Sequence, residues 1–262
     1  MCIRDSLGKV DTNYLDVLKA AVQHEKARSY EFLALQQGNS VLEAGCGPAT
    51  DTIALAGVVG PTGTVVGIDF DPEMIAQARE RTRVAGLGDR VTHLVADATA
   101  LPFDDATFDA SRCERLFQHV QDPAAVLAEM TRVTRPGGRV VVFDTDHATV
   151  VVDSTEPEIT ERLMRFRLDT MFTNPGSGRQ LYRLFRVAGL QDVTIEPRAM
   201  ASLDLGFARI AGDTEKLGAQ AMAAGVVTED ELGRWNASLE QADANGTFFC
   251  SWTMILATGI RA

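Results

Sequence analysis

Gly45 and Gly47 stand two apart directly after the apolar run Val41-Leu42-Glu43-Ala44, and a lone acid, Asp69, ends the next apolar run, Thr64-Val65-Val66-Gly67-Ile68. Glycines at a strand-to-helix corner let the backbone come within contact distance of a ligand. A carboxylate after the second strand can accept both hydroxyls of a ribose. Together these residues predict a nucleoside as the ligand. A glycine after a strand is often only a turn, so the weight rests on the combination. The turn departs from a dinucleotide fingerprint, because Thr50 stands where the third glycine would be. That third small residue allows the close helix packing that presents a helix N-terminus to a pyrophosphate.

The elements that must position these residues can be read along the chain. Leu15, Leu18, Ala21 and Val22, then Phe32 and Leu33, have helical spacing for one or two helices before the core. A strand over Ser40–Glu43, the glycine turn and a helical run from Ala49 to Val58 form a first unit, closed by Gly60-Pro61-Thr62-Gly63. A second strand, Thr64–Asp69, leads to a helix with Asp71 as N-cap and Pro72 at its first position. Strands over Val91–Ala96 and Phe108–Cys113, a helix over Pro123–Thr134 stopped by Arg135-Pro136-Gly137-Gly138, and a strand over Arg139–Asp144 continue the alternation. Such alternation predicts an α/β fold with a doubly wound, mostly parallel sheet.

After Asp144 the order changes. Helices are expected over 156–172, 179–188, 206–224 and 228–242, with strands over Asp192–Ile195 and Thr247–Ala257. Segments of about 148–177 and 203–246 exceed a minimal sheet and are expected to form lid helices over the ligand crevice. The expected organisation is an N-terminal extension over 1–37 followed by one domain over 38–262. The opening Met-Cys-Ile-Arg-Asp-Ser has no periodicity and is similar to translated adapter sequence, so residues 1–6 are read as non-native.

At 262 residues and 45% hydrophobic content the chain can bury a full core. A formal charge of -11 opposes nucleic acid or an anionic membrane surface as partner. Cys2, Cys46, Cys113 and Cys250 form no CxxC pair and no Cys/His cluster at zinc spacing, so no metal is expected and the thiols read as reduced. No stretch of about eighteen apolar residues and no leader pattern is present, which gives the expectation of a soluble, cytoplasmic protein.

The blocks Val41–Ala49, Gly67–Asp69 with Phe70-Asp71-Pro72, Asp97-Ala98 before Leu101-Pro102-Phe103, Phe108-Asp109 and Arg135-Pro136-Gly137-Gly138, in that order, resemble the class I S-adenosylmethionine-dependent methyltransferases. The resemblance covers residues 38–146 closely. From Gly178-Arg179-Gln180-Leu181 onward the chain is similar to the small-molecule branch that includes ubiquinone- and menaquinone-type C-methyltransferases and natural-product O-methyltransferases. It implies a seven-stranded sheet with an antiparallel C-terminal strand, and S-adenosyl-L-methionine as cofactor. Glu43, Gly45 and Gly47 would flank the methionine portion, Asp69 the ribose, and Phe70 and Met74 the adenine. Asp97 and the Ala98 amide would meet the adenine edge, and Cys113-Glu114 would border the methionine group. The structural alternatives are core packing for Phe70, Met74 and Cys113, and capping for Asp71.

Methyl transfer from a sulfonium needs an in-line nucleophile, and orientation alone can supply roughly 7–11 kcal/mol. A base is optional, and adds about 10²–10⁴ for a phenol, enol or activated carbon. His119, after the fourth strand, is the first candidate, and His147, after the fifth, the second; for each the alternative is a structural histidine. Tyr14, Tyr30 and Tyr182 are candidates for shaping an acceptor pocket, and Arg112, Arg115 and Arg179 for attracting an acidic acceptor, unless ion pairs occupy them. The expected reaction is direct displacement onto a small organic acceptor through carbon, oxygen or nitrogen, without metal. A nucleoside-binding module without catalysis and an NAD-dependent oxidoreductase are the competing readings. A homodimer is compatible with the sequence, though no signal demands one.

Overall fold

The structure, a computed structural model, describes residues 23–262. The expected helical positions Leu15, Leu18, Ala21 and Val22, the opening hexapeptide with Cys2, and Tyr14 lie outside the described residues. In chain order the elements begin α1 (Gln23–Phe32), β1 (Ser40–Ala44), α2 (Thr50–Val59), β2 (Thr64–Asp69), α3 (Pro72–Val84), β3 (Val91–Val95) and β4 (Phe108–Glu114). A short 3₁₀ turn, Phe117–His119, precedes α4 (Pro123–Val133), β5 (Thr134–Val152), α5 (Pro157–Thr170), α6 (Ser177–Val187) and β6 (Gln191–Ser202). The chain ends with α7 (Leu205–Gly212), α8 (Thr214–Ala223), α9 (Glu229–Ala244) and β7 (Cys250–Ile260).

The strands form one seven-stranded sheet in the order β3-β2-β1-β4-β5-β7-β6. The pairs β2/β3, β1/β2, β1/β4 and β4/β5 are parallel. Reciprocal bonds from Gly137 N to Arg261 O (2.8 Å) and from Arg261 N to Gly138 O (2.9 Å) have the exchange geometry of an antiparallel neighbour for β7. The doubly wound sheet with antiparallel C-terminal strands agrees with the expectation. The order reverses at β1, between β2 and β4, and in such sheets ligands bind at the carboxyl ends of the strands at that switch point.

Local chemistry explains the helix starts. Asp71 accepts from Glu73 N at 2.8 Å with Pro72 at the first helical position of α3, and Asp122 accepts from Ala125 N at 3.0 Å ahead of Pro123 in α4. Elsewhere boundaries moved. Arg135-Pro136-Gly137-Gly138 ends α4 as expected but lies inside β5, where the register jumps from Phe108↔Thr134 to Ala110↔Arg139. Pro136 cannot continue a helix, and Gly137 at φ 80° absorbs the extra residues as a bulge. The helix expected over 206–224 is two helices, broken at Asp213, whose φ of 45° is left-handed.

Compactness divides the chain into two units. One comprises His24–Asp144, Ser177–Pro197 and Ile255–Ala262, with a core that includes Leu42, Ile68, Phe117, Leu127, Val142 and Phe185. The other comprises, among the described residues, Gln23, Thr145–Gly176 and Arg198–Met254. It has a core of its own around Ile159, Leu163, Trp235 and Leu239, with Trp235 Nε1 donating to Thr160 Oγ1 at 2.9 Å. Both segments expected as lid insertions fall in this second unit. No described helix is long and apolar enough to cross a membrane.

Candidate active site

The candidate residues of the first unit stand at and just beyond the carboxyl ends of β1, β2, β3 and β4. Gly45 (φ 70°) and Gly47 (φ 50°) both take the left-handed conformation, which costs an L side chain roughly 1–2 kcal/mol. Their surroundings differ. A Cβ on Gly45 would stand 3.2 Å from Leu116 Cδ1, whereas one on Gly47 would meet nothing within 4 Å. Gly47 therefore combines a conformation suited to glycine with open space beside it.

Asp69 is fixed across that turn. Its Oδ2 accepts from Gly47 N and its Oδ1 from Asp71 N, each at 3.0 Å. Burial raises its pKa, with the Asp71 and Gly47 amides pulling the other way. A carboxylate has about four acceptor sites, so two amide bonds leave room for hydroxyl donors. Phe70 is 52% exposed beside it, an aromatic face without core packing to explain it, and Met74 is half-buried on α3. Ala96 N donates to Asp69 O at 3.0 Å and draws the end of β3 alongside. The exposed Asp97 is held in a tight turn by Thr99, which donates through N (2.8 Å) and Oγ1 (2.7 Å) to Oδ1; Ala98 is buried. Arg132 on α4 braces the following segment by donating to Leu101 O, Phe103 O and Asp105 while pairing with Glu129.

Three of the residues expected at the methionine end, Cys113, Glu43 and Glu114, have side chains engaged within the protein. The Cys113 side chain is fully buried in the core, its thiol pKa raised first by burial, so only its backbone is left to border a ligand. Glu43 is 1% exposed and clamped by Arg112, whose Nη1 lies 2.5 Å from Oε1. Glu43 Oε2 has no hydrogen-bond partner. The Glu114 side chain is likewise occupied, by Arg112 (2.6 Å) and Lys26 (3.1 Å). Arg112 itself is 0% exposed, and so is not presented to an acidic acceptor; Tyr30 Oη donates to Asp51 Oδ1 at 2.5 Å rather than lining an acceptor pocket.

The two histidines fall in different units. His119 closes the 3₁₀ turn, whose Phe117 N donates to the buried Asp144 Oδ2 at 2.7 Å, while Ser177 Oγ donates to Asp144 Oδ1 at 2.8 Å. Its Nε2 is 2.8 Å from Gln118 Nε2. Burial first, then Arg115, lowers its pKa to about 4, so the ring is neutral near pH 7. His147 stacks on Phe172 with centroids 3.6 Å apart, and Arg167 Nη1 stands 3.5 Å from its Nδ1. His93, which the sequence left without a role, packs under the turn. Its Nε2 is 3.0 Å from Thr52 Oγ1, and Gly67 leaves the space in which it meets Cys46. Among the described residues no group of three or more His, Cys, Asp or Glu is arranged to hold a metal ion.

The fold and the glycine-turn and acid pairing define a nucleoside-binding doubly wound domain. The methyltransferase-domain family matches residues 35–189, more than half of the chain. The chain is 30% identical over 227 residues to a demethylmenaquinone methyltransferase of Bacillus cereus, covering 78% of this chain and 94% of that one. It is 35% identical over 249 residues to a 37.1 kDa protein of transposon TN4556 from Streptomyces fradiae, covering 93% of this chain and 69% of the relative. Among solved structures, the YcgJ protein of Bacillus subtilis aligns with a TM-score of 0.65 at 20% identity, over 91% of this chain and 98% of the other. A geranyl diphosphate C-methyltransferase of Streptomyces coelicolor, solved with Mg2+, geranyl diphosphate and S-adenosyl-L-homocysteine, aligns at 0.59 and 17% identity, over 98% and 86%. The chain belongs to the methyltransferase-domain family and is a class I S-adenosylmethionine-dependent methyltransferase.

Proposed function

We propose that Gly45, Gly47, Asp69, Phe70, Met74, Asp97 and the Ala98 amide hold S-adenosylmethionine, and that the methyl group passes by direct displacement to a small organic acceptor. The observation that carries this is Asp69, a carboxylate at the carboxyl end of β2 fixed by the Gly47 and Asp71 amides, with the exposed Phe70 ring next to it. The residues fit the cofactor on two further counts: the open space at Gly47 admits a close approach, and Glu43 Oε2 is a buried acceptor with no donor. When bound, the cofactor supplies an electrophilic methyl group on a cationic sulfur. Asp69 accepts the ribose hydroxyls, and Phe70 and Met74 cover the adenine.

His119 is the proposed proton acceptor. Held neutral by burial, its Nε2 accepts from Gln118 Nε2, the place an acceptor hydroxyl would have to take over, and its low pKa makes it an orienting group more than a strong base. His147 is committed to Phe172 and Arg167, and ranks second. The second unit carries a cleft of about 430 Å³ whose lining includes His147, Val150, Met164 and Leu168, a size suited to a small molecule. The net charge of -11 favours such an acceptor over nucleic acid. The same reading places the enzyme in the cytoplasm, where Cys46, Cys113 and Cys250 stay reduced.

Calorimetry against S-adenosylhomocysteine, with NAD as control, tests the cofactor assignment. Micromolar or tighter binding to the homocysteine compound alone is expected, weakened by about one to two orders of magnitude in Asp69→Ala as charge-assisted hydrogen bonds are lost. Binding to NAD alone, or an Asp69→Ala protein with unchanged affinity, overturns it.

A further inference from the structure

Helix α1 has the sequence Gln-His-Glu-Lys-Ala-Arg-Ser-Tyr-Glu-Phe, with no apolar stripe to bury. It nevertheless packs a face: Lys26 and Ser29 are buried and Tyr30 partly so, at positions i, i+3 and i+4. What this face meets is charge. Lys26 Nζ lies 3.0 Å from Asp51 Oδ2 and 3.1 Å from Glu114 Oε1. Ser29 Oγ accepts from Arg112 Nε at 2.9 Å, and the Tyr30 ring lies 5.0 Å under the Arg112 guanidinium while its hydroxyl donates to Asp51.

Arg112 is the hub. It stands on β4 directly opposite Glu43 on β1 and two residues before Glu114, on the same face of the sheet. One guanidinium thus binds the acids ending two neighbouring strands, lies 3.7 Å from Asp51 in the first turn of α2, and bonds to α1. Burial opposes charge on Asp51, yet Arg112 and then Lys26 overcome it and hold that carboxyl below the usual range. At Glu43 burial prevails over Arg112 and lifts the carboxyl instead. Buried ion networks of this kind add little stability over an apolar equivalent, since desolvation offsets attraction; removing one partner strands the rest. What such a network does supply is placement. The alternative of an apolar α1 interface would take the Lys26 ammonium away from Asp51 and Glu114 and leave Arg112 as the cation they share with Glu43.

We propose that Arg112 is a positioning residue for the amino-acid end of the cofactor site, and that Lys26, Ser29 and Tyr30 make the docking of α1 and the binding of cofactor one coupled equilibrium. The proposal rests on the reading of the carboxyl ends of β1 and β4 as the methionine-binding edge. Cofactor favours the arrangement of Arg112, Glu114 and Asp51 that docked α1 completes, so by linkage it tightens α1, and loss of α1 docking weakens cofactor binding by up to the same factor.

The test uses the full chain and two readouts. Hydrogen exchange over residues 23–32 is measured with and without saturating S-adenosylhomocysteine, and calorimetry gives its affinity for the wild type, Lys26→Met, Tyr30→Phe, and Glu31→Gln as an exposed control on the same helix. Expected are slower exchange of α1 on binding, an affinity loss of about tenfold for Lys26→Met, a smaller loss for Tyr30→Phe, and none for Glu31→Gln. Arg112→Lys is expected to recover part of the affinity lost in Arg112→Met. Wild-type protein that binds while α1 exchange is unmoved, or a folded Lys26→Met that binds as wild type does, overturns the coupling. Wild-type protein that fails to bind at all overturns the cofactor-site reading on which it rests.

Discussion

Gly47 and Gly67 lie in adjacent segments of the cofactor edge, yet substituting alanine at each should fail in opposite ways. At Gly47 the backbone has φ 50° and an added Cβ meets nothing within 4 Å. Its folding cost is then the left-handed conformation alone, about 1 kcal/mol, or a fall in Tm of about 2–4 °C for a chain of this size. The new methyl group would stand in the space assigned to the ligand. Loss of one close backbone contact is worth about 1.5 kcal/mol or more, hence S-adenosylhomocysteine affinity weakened about tenfold or beyond. At Gly67 an added Cβ would stand 2.8 Å from Cys46 Sγ and from His93 Cδ2, both buried, so overpacking costs about 1–3 kcal/mol. Thermal unfolding and calorimetry on both variants give the comparison. Gly47→Ala should lose affinity out of proportion to stability, and Gly67→Ala should lose more stability. A Gly47→Ala protein with a small drop in Tm and affinity within twofold of wild type refutes the placement of ligand beside that turn.

Phe70→Ala removes an exposed ring, so Tm should hold within about 1 °C while S-adenosylhomocysteine affinity falls by roughly 1–2 kcal/mol, about 5- to 30-fold by calorimetry. His119→Ala should lower kcat by about 10²-fold with cofactor affinity unchanged, once an acceptor is in hand. With its pKa held near 4 by burial, the wild-type rate should stay level in His119-dependent terms from pH 8 to pH 5 and fall as pH drops through about 4. His93 gives a stability test. Burial, then Arg79, lowers its folded pKa to about 4 against about 6.5 unfolded, so the unfolded chain binds more protons between those values. Its contribution is intact above pH 6.5 and lost progressively toward pH 4. Equilibrium denaturation across that window should show a steeper decline for wild type than for His93→Gln.

The glycine turn and the helix start that follows the second strand were legible because their signals are local. Asp71-Pro72 specified a cap and a first helical residue within two positions, and the structure has both. Gly45, Gly47 and Asp69 were recognisable because a tight turn and a strand end restrict residue type through φ and spacing. Less legible was where side chains went once strands paired. The partner of Glu43 is Arg112 because β1 and β4 place positions 43 and 112 opposite one another, a register that neither strand encodes alone. Cys113 points into the core for the same reason of alternation, one residue from Arg112 and Glu114 on the opposite face. The bulge at Gly137 and the break at Asp213 were missed since both depend on neighbours in space more than on the residues themselves.

The sequence by itself therefore determined the alternation of strands and helices, the glycine turn, the acid that ends the second strand and the family, all of which rest on short-range patterns. Only the tertiary structure decided what the charged residues do. Lys26 meets Asp51 across 25 positions, Arg112 meets Glu43 across 69 and Ser29 across 83. No periodicity links such residues, and their charges have meaning only once folding has removed water from between them and the ion pairs become strong enough to hold α1 in place.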